Sequence, residues 1–193
     1  MAHPAQPRPS AATRDRLLAA AERIVARDGA ARLTLDAVAR ETGLSKGGVL
    51  YHFASKDALV AGLVERLADA VALEQDAEAA ADPRRIGRRT RAFVRATFAP
   101  TSQPADPVAV GAALLAALGT NPALLDPLRA RYADWQARLE DDGIDPDLAA
   151  VVRLAADGLM LAEAFGLAPP APETRDRLLA ALLRLTAPES ASR

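Results

Sequence analysis

The sequence predicts an all-α protein of about nine helices. Alanine and leucine, two of the best helix formers, supply 47 and 27 of its 193 residues. Apolar residues recur at the helical period over most of the chain, and no stretch alternates apolar and polar residues as a half-buried strand would. Glycine and proline interrupt this pattern between the helical segments. The length fits one domain or two small ones with a buried core.

The first four helices are predicted from capping residues and helical spacing between residues 13 and 80. An N-terminal tail, residues 1–12, is rich in proline and alanine and is expected to be disordered. Hydroxyl side chains can cap each of the helices that follow, and glycine ends two of them. The capping residues are Thr13, Thr34, Ser45 and Ser55, and the helices span about 13–28, 35–42, 46–53 and 56–80.

Proline divides the remainder of the chain into five more helices. Their predicted spans are about 83–99, 107–119, 128–142, 147–166 and 173–186. The first of them is rich in arginine, and four of its arginines recur at helical spacing, namely Arg84, Arg88, Arg91 and Arg95. We interpret this arginine stripe as a solvated helix face, with an anionic ligand or an added DNA contact as the alternative.

Composition argues against several kinds of chemistry. The chain has no cysteine, which removes disulfides, thiolate metal sites and cysteine nucleophiles. Its two histidines, His3 and His52, cannot form the clusters that metalloenzymes and triad hydrolases need. We therefore expect no enzyme activity, no metal and no cofactor. A helical enzyme that relies on Asp, Glu or Tyr is the alternative, but no paired-carboxylate motif points to one.

The sequence predicts neither a membrane-spanning segment nor a secretory signal peptide. The longest apolar run, residues 108–119, is shorter than the roughly 20 residues that span a bilayer. The N-terminal tail lacks the apolar core of a signal peptide, so we expect a cytoplasmic protein. The formal net charge of −1 gives no hint of a polyanionic partner, but the first 65 residues carry nine basic and seven acidic side chains. Positive charge is therefore concentrated near the N-terminus.

The segment 42–56 carries the strongest functional signal. A short helix and a turn of about three residues lead into it, which is the layout of a helix-turn-helix. It has no acidic residue and holds both lysines of the chain, Lys46 and Lys56, against 22 arginines elsewhere. Each lysine begins a helix, where free backbone N–H groups favour phosphate, and Gly47 and Gly48 let the backbone approach DNA closely. We predict a DNA-binding segment, with a helical hairpin for another partner as the alternative.

The region resembles the N-terminal DNA-binding domain of the TetR/AcrR family of repressors. The strings that carry the resemblance are LTLDAVA at 33–39, GLSKGGVLYHF at 43–53 and SKDAL at 55–59. The later helices match the family in number, length and order. The resemblance implies a helix-turn-helix DNA-binding domain over 13–57, joined by a long fourth helix to a C-terminal helical ligand-binding and dimerisation bundle over 58–193.

The resemblance also implies nine DNA contacts. Phosphates would be held by Thr34, Tyr51, His52 and Lys56, the major groove would receive Lys46 with Gly47 and Gly48, and the DNA backbone would contact Thr42 and Ser45. Leu35 and Asp36 stand where many relatives have a hydrogen-bond donor, so we expect fewer contacts from the second helix. Phe53, which is not among these contacts, is expected to be a core aromatic. Core packing of Tyr51, and an ordinary surface role for His52 and the two lysines, are the alternatives to the contacts.

The resemblance implies an effector pocket in the C-terminal bundle. Six aromatic, polar or soft side chains on its helices are candidates to line the pocket, with core packing or surface exposure as the alternative for each. They are Phe93, Thr97, Tyr132, Trp135, Met160 and Glu163. The many alanines and leucines suggest an apolar or aromatic effector.

The last two predicted helices, 147–166 and 173–186, are apolar on most sides and must be covered. We expect them to form a four-helix bundle between two copies of the chain, with one larger monomeric core as the alternative. The whole pattern predicts a ligand-responsive, homodimeric transcriptional regulator, most simply a repressor. It would bind a near-palindromic double-stranded operator and be released by a small effector.

Overall fold

The computed structural model describes residues 11–98 and 121–187, and these residues form eight α-helices with no strand. In chain order the helices are α1 (Ala11–Asp28), α2 (Leu35–Thr42), α3 (Lys46–His52), α4 (Lys56–Ala81), α5 (Arg88–Phe98), α6 (Asp126–Glu140), α7 (Pro146–Phe165) and α8 (Pro172–Leu185). Short 3-10 turns lie at Ala30–Arg32 and Pro122–Leu125. The all-α prediction is confirmed. The predicted helix at 107–119 and most of the predicted tail fall outside the described residues.

Two helix starts differ from the sequence prediction. The first helix begins at Ala11, so Thr13 lies inside α1 rather than capping it. The arginine-rich helix begins at Arg88 rather than at residue 83. Its start is fixed by Asp142, whose carboxylate accepts hydrogen bonds from the backbone N–H groups of Arg89 at 3.0 Å and Thr90 at 2.7 Å. A cap supplied from a distant part of the chain decides where this helix begins.

A buried ion pair corrects the interpretation of the arginine stripe. Arg91 is fully buried, and its Nε lies 2.6 Å from Oδ2 of buried Asp82. Its other guanidinium nitrogens donate to backbone carbonyls of Arg84, Ile86 and Thr186. The prediction of one solvated helical stripe is therefore wrong, because Arg84 precedes α5 and Arg91 belongs to the interior.

The described residues bury two apolar cores. The first joins α1 to the first half of α4 and encloses α2 and α3, and the second lies among α5 to α8. The first contains Leu17, Leu18, Ile24, Leu33, Val38, Val49, Phe53, Leu59 and Leu63. The second contains Phe93, Val94, Phe98, Trp135, Leu139, Val152, Ala156, Leu159 and Leu182.

The long helix α4 connects the two cores. Its 26 residues extend over about 39 Å. Leu59 and Leu63 belong to the first core, and Ala72 packs against the second. A second connection is made by Leu124 and Leu128, which precede or begin α6 and pack against the first core. No helix within the described ranges is long and apolar enough to cross a bilayer.

Candidate nucleic-acid interface

A helix-turn-helix is formed by α2, the turn at 43–45 and α3. Thr34 Oγ1 accepts a hydrogen bond from Ala37 N at 3.0 Å and so caps α2. Ser45 Oγ accepts from Gly48 N at 3.1 Å and caps α3 in the same way. Gly43 adopts the left-handed conformation, with φ of 69°, that ends α2 and starts the turn. Local sequence therefore fixes the angle at which α3 leaves α2.

Buried side chains hold these short helices against the rest of the domain. They are Val38 and Ala39 on α2 and Val49 on α3. The small side chain of Ala39 allows the two helices to cross closely. Because the inward face of α3 is committed to this packing, its opposite face is left for solvent or a partner.

The nine sequence-predicted DNA contacts lie on this hairpin and at the start of α4. Six of them are exposed, namely Thr34, Ser45, Lys46, Gly47, Tyr51 and Lys56, and three are half-buried, namely Thr42, Gly48 and His52. Tyr51 is 41% exposed, which removes the alternative of a core aromatic for this residue. Phe53, in contrast, is buried in the first core.

The hydroxyl groups of this surface differ in whether their O–H proton is already used in a hydrogen bond. Thr42 Oγ1 donates to the carbonyl of Val38 at 2.8 Å, so its proton is used inside α2. Thr34 and Ser45 accept hydrogen bonds as helix caps and keep their O–H protons for another acceptor. A phosphate oxygen is such an acceptor. Thr34 and Ser45 are thus better placed than Thr42 to donate to DNA.

Two rings end α3 as an edge-to-face pair. The centroids of Tyr51 and His52 lie 5.6 Å apart with an interplanar angle of 85°. The buried Nδ1 of His52 has no hydrogen-bond partner within the described residues. Ring packing, rather than a polar contact of Nδ1, therefore holds His52 in place.

The two lysines have different surroundings. Lys56 is exposed and forms no ion pair in the described part of the chain. Lys46 Nζ lies 3.1 Å from Oδ2 of Asp36, which is in the first turn of α2. From the sequence, Asp36 was expected only to reduce the contacts of α2. Its pairing with Lys46 across the turn was not predicted, although an acidic residue on α2 ten positions before a lysine was the available signal.

The candidate effector residues cluster around the second core. Phe93 and Trp135 are buried, with ring centroids 6.4 Å apart, and half-buried Tyr132 lies 5.1 Å from Trp135. Both ring pairs meet edge to face, and the pair of Phe93 and Trp135 joins α5 to α6. Thr97 Oγ1 donates to the carbonyl of Phe93 at 2.9 Å. The three rings belong to the second core or pack against it, and Thr97 is tied to α5 by this hydrogen bond.

The remaining two candidates lie on α7. Glu163 Oε1 accepts a hydrogen bond from Arg175 Nε at 2.8 Å, which links α7 to α8. Met160 is half-buried. The structure thus places Glu163 in an interhelical ion pair, a partner that the sequence pattern did not identify.

A polar network beside the aromatic cluster was missed from the sequence. Asp157 accepts hydrogen bonds from Arg153 Nη1 at 2.7 Å and from the Tyr132 hydroxyl at 3.4 Å, and Arg153 Nε donates to Gln136 Oε1 at 2.6 Å. Burial raises the pKa of Asp157. Burial first, and the nearby charge of Asp157 second, raise the pKa of Tyr132 to about 12. Four polar groups therefore lie between α6 and α7 next to apolar rings.

A small cavity lies beside Trp135, between α4, α5 and α6. It is lined in part by Trp135, Gln75 and Arg138 and has a volume of about 20 Å³, which is room for a water molecule. Nε2 of Gln75 is buried and has no hydrogen-bond partner among the described residues. The aromatic cluster is therefore tightly packed in this conformation.

Two families of protein domains match the chain. One, described as "Tetracyclin repressor-like, C-terminal domain", matches residues 87–187, which is more than half of the chain. The other, "Bacterial regulatory proteins, tetR family", matches residues 17–63. The chain belongs to the TetR family. This TetR-family protein is accordingly a transcriptional regulator rather than an enzyme, and its first core and helix-turn-helix form the family's N-terminal DNA-binding domain.

Solved structures share the fold of this TetR-family regulator. A transcriptional regulator from Rhodococcus sp. Rha1 is 24% identical with a TM-score of 0.73, over 90% of this chain and 95% of that one. A TetR-family member from Streptomyces coelicolor A3 is 24% identical with a TM-score of 0.69, over 91% and 98%. The multidrug binding protein EbrR in complex with ethidium is 25% identical with a TM-score of 0.69, over 92% and 99%. The comparison with curated proteins found no match.

Proposed function

We propose that this TetR-family regulator is a homodimeric repressor that binds a near-palindromic operator and is released by a small, apolar or aromatic effector. The observation that carries the proposal is the helix-turn-helix whose exposed surface holds both lysines of the chain, Lys46 and Lys56. Residues 13–57 form the DNA-binding domain in this proposal, and residues 58–193 form the ligand-binding and dimerisation domain. The first turns of α4 pack on the core of the DNA-binding domain and join the two.

DNA binding would place α3 in the major groove. Lys46 would reach base edges, and Gly47 and Gly48 would let the helix approach them, because neither carries a side chain that holds the backbone away. Lys56 and Tyr51 would contact phosphates on either side. The remaining predicted contacts, Thr34, Thr42, Ser45 and His52, would fix the register of α3 on the duplex.

Dimerisation is supported by an apolar face that one protomer leaves uncovered. On α7, Val151 is 56% exposed, Leu154 58% and Phe165 45%. A Cβ built on Gly158, in the middle of this face, would meet nothing within 4 Å, so a partner helix has room to approach there. On α8, Leu178 is also exposed. Pairing of α7 and α8 between two copies would bury this surface. It would also place the two helix-turn-helix segments about one helical turn of DNA apart.

Effector binding is supported by the aromatic cluster and by EbrR, a related fold that binds ethidium. A drug-sized ligand needs about 300–1,000 Å³, whereas the cavity beside Trp135 holds about 20 Å³. Binding at this cavity, between α4, α5 and α6, would therefore require these helices to separate. An effector that selects such an open conformation shifts the population away from the one described here.

In this proposal, contacts between the start of α6 and the DNA-binding domain link the effector site to the DNA. Leu124, Leu125 and Leu128, which flank the start of α6, pack against the core of the DNA-binding domain. Asn121 Nδ2 also donates to Asp57 Oδ2 at 3.1 Å, next to Lys56. A displacement of α6 by an effector would disturb both contacts. Effector and operator would then weaken each other's binding by the same factor.

A gel-shift titration with DNA from upstream of the protein's own gene tests the proposal. We expect binding that weakens as salt rises, and its loss in the double variant Lys46→Ala/Lys56→Ala. Arg138→Ala, which removes an exposed cation of α6, is the control and should bind as the unmodified protein does. Equal binding by the double variant and the control would rule out the proposed interface.

The effector is tested separately. Small apolar and aromatic compounds, ethidium among them, are screened for a shift in melting temperature, and those that bind are added to the gel shift. Release of the operator by a bound compound, weakened in Trp135→Ala, is the expected result. Compounds that bind without affecting the operator complex would contradict the regulatory link.

A further inference from the structure

We propose that Asp36 determines DNA specificity by reading a G·C base pair together with Lys46. The inference rests on the proposed DNA-binding function. Lys46 Nζ and Asp36 Oδ2 lie 3.1 Å apart, and both side chains are 60% exposed. The ion pair therefore spans the outer side of the helix-turn-helix, between the first turn of α2 and the first turn of α3.

A contribution to folding stability does not explain the ion pair between Asp36 and Lys46. Ion pairs between two solvent-exposed side chains contribute little to folding, since water competes for both charges. The Thr34 hydroxyl already caps α2. A carboxylate on a surface that meets phosphates also weakens DNA binding through repulsion. Asp36 is thus unfavourable for general DNA affinity.

The other acidic residue of α2 is arranged differently. Glu41 Oε1 accepts a hydrogen bond from Arg23 Nε at 3.2 Å, and its Oε2 lies 3.4 Å from Arg27 Nη1, so it is neutralised by α1. Glu41 is thereby turned away from the face that Lys46 shares with Asp36. One helix thus carries two carboxylates, of which only Asp36 is paired with a predicted base-contacting residue.

The paired groups match the major-groove edge of a G·C pair. Guanine presents two adjacent acceptors, O6 and N7, which suit the several N–H donors of an ammonium group, and cytosine presents the N4 amino donor, which suits a carboxylate. The O6 and N4 atoms of the pair are themselves hydrogen-bonded at about 2.9 Å. The 3.1 Å between Nζ and Oδ2 lets both protein groups face this edge together.

Discrimination follows from the mismatch with other sequences. Where no amino group of a base, N4 of cytosine or N6 of adenine, faces Asp36, its carboxylate loses water and gains only the repulsion of nearby phosphates. Where Asp36 faces adenine, the paired thymine offers Lys46 the single acceptor O4 in place of the O6 and N7 of guanine, so this pair is matched less well than a G·C pair. Binding to such sites is penalised, which is specificity by an unfavourable contact rather than by an added favourable one. Removal of the carboxylate should therefore raise affinity for unrelated DNA and lower the preference for the operator.

The test is selection of DNA from a random-sequence pool with the full chain, followed by gel-shift titration of the selected operator with each base pair changed in turn. Asp36→Asn is compared with the unmodified protein. Glu41→Gln, on the same helix, removes the same charge and is the control. Asp36→Glu keeps the charge but moves it outward, and melting curves establish that each variant is folded.

We expect the unmodified protein to select a G·C pair at one position of each half-site. Asp36→Asn should lower the discrimination at that position roughly fivefold or more and bind unrelated DNA more tightly. Asp36→Glu should also lose discrimination while it keeps weak binding to unrelated DNA, and Glu41→Gln should keep the selected preference.

Three results would overturn the inference. Unchanged base preferences in Asp36→Asn would show that the carboxylate reads nothing. An equal change in Glu41→Gln would assign the effect to total charge, and an A·T pair at the affected position would contradict the proposed match. Failure of the unmodified protein to select any sequence is distinct, because it would remove the proposed DNA-binding function itself.

Discussion

Arg91 and Asp82 form a buried ion pair at the junction of α4 and α5, with Nε and Oδ2 2.6 Å apart. Arg95 Nη1 also reaches Asp82 Oδ2 at 3.1 Å. Gly87, with φ of 69°, passes so close that a Cβ there would lie 2.7 Å from the carbonyl oxygen of Thr186 and 2.8 Å from Arg91 Nη1. The junction thus joins the end of α4, the start of α5 and the residue that follows α8.

The first prediction is that Arg91→Met destabilises the protein by about 3–5 kcal/mol, because it leaves the Asp82 carboxylate buried without its partner. Urea unfolding of the intact chain measures this change. Arg138→Met, which removes an exposed arginine of α6, is the control and should change the free energy of unfolding by less than about 0.5 kcal/mol. Equal effects of the two substitutions would contradict a stabilising role for the buried pair.

The second prediction concerns acid. The hydrogen bond from Arg91 holds the pKa of Asp82 well below its usual range, despite the opposing effect of burial. A carboxyl whose folded-state pKa is lowered stabilises the fold above its unfolded-state pKa of about 4 and loses that contribution as the pH falls below it. Stability should therefore fall more steeply below pH 4 in the unmodified protein than in Asp82→Asn. Parallel pH profiles would be inconsistent with this coupling.

The third prediction concerns Gly62, where α4 meets α1 and the end of α3. A Cβ at this position would lie 3.0 Å from Phe53 Cε1 and 3.2 Å from both Arg14 Nη2 and Leu18 Cδ2. Overpacking costs about 1–3 kcal/mol, and alanine regains about 1 kcal/mol of helix propensity. Gly62→Ala should lower the free energy of unfolding by about 1 kcal/mol. A melting temperature above that of the unmodified protein would show that the neighbouring side chains move aside for the added methyl group at little cost.

The fourth prediction separates stability from DNA binding at Gly47. A Cβ there would meet only Ser45 Oγ, at 3.9 Å, and would remove the propensity cost of a helical glycine. Gly47→Ala should raise the melting temperature and weaken operator binding, because the added methyl group holds α3 away from the groove. Fluorescence anisotropy with labelled operator measures the second effect. Tighter binding by the stabilised variant would contradict close approach of α3 to DNA.

The fifth prediction concerns the uncovered face of α7. Leu154→Glu places a charge at the centre of the proposed dimer interface, where a buried carboxylate has no partner, and should give a monomer by light scattering at micromolar concentration. Leu73→Glu on α4 is the matched control, since Leu73 is 72% exposed, and should leave the dimer intact. A dimeric Leu154→Glu protein would place the interface elsewhere.

Much of the DNA-binding domain was predictable because its determinants are local. Thr34, Ser45 and Ser55 cap the helices that follow them within three residues, and Gly43 ends α2 by its own conformation. The exposed side chains of α3 follow from the same local periodicity. For this reason the sequence placed the helix-turn-helix to within a residue or two.

What was missed depends on contacts between distant parts of the chain. The start of α5 is set by Asp142, more than fifty residues later in the chain, and not by the local arginine pattern. Arg91 is buried because Asp82 and the carbonyl of Thr186 converge on it from two other segments. The pair between Asp36 and Lys46 likewise requires the turn that brings α2 and α3 together. Helical periodicity alone contains none of these contacts.

The most direct measurement of the central claim is the salt dependence of operator binding by the unmodified protein and by Lys56→Ala. Each phosphate contact contributes about 0.9 to the slope of log K against log salt concentration. A dimer that loses one contact in each half-site should therefore show a slope smaller by about two. An unchanged slope, or binding insensitive to salt, would contradict a DNA interface built on this helix-turn-helix.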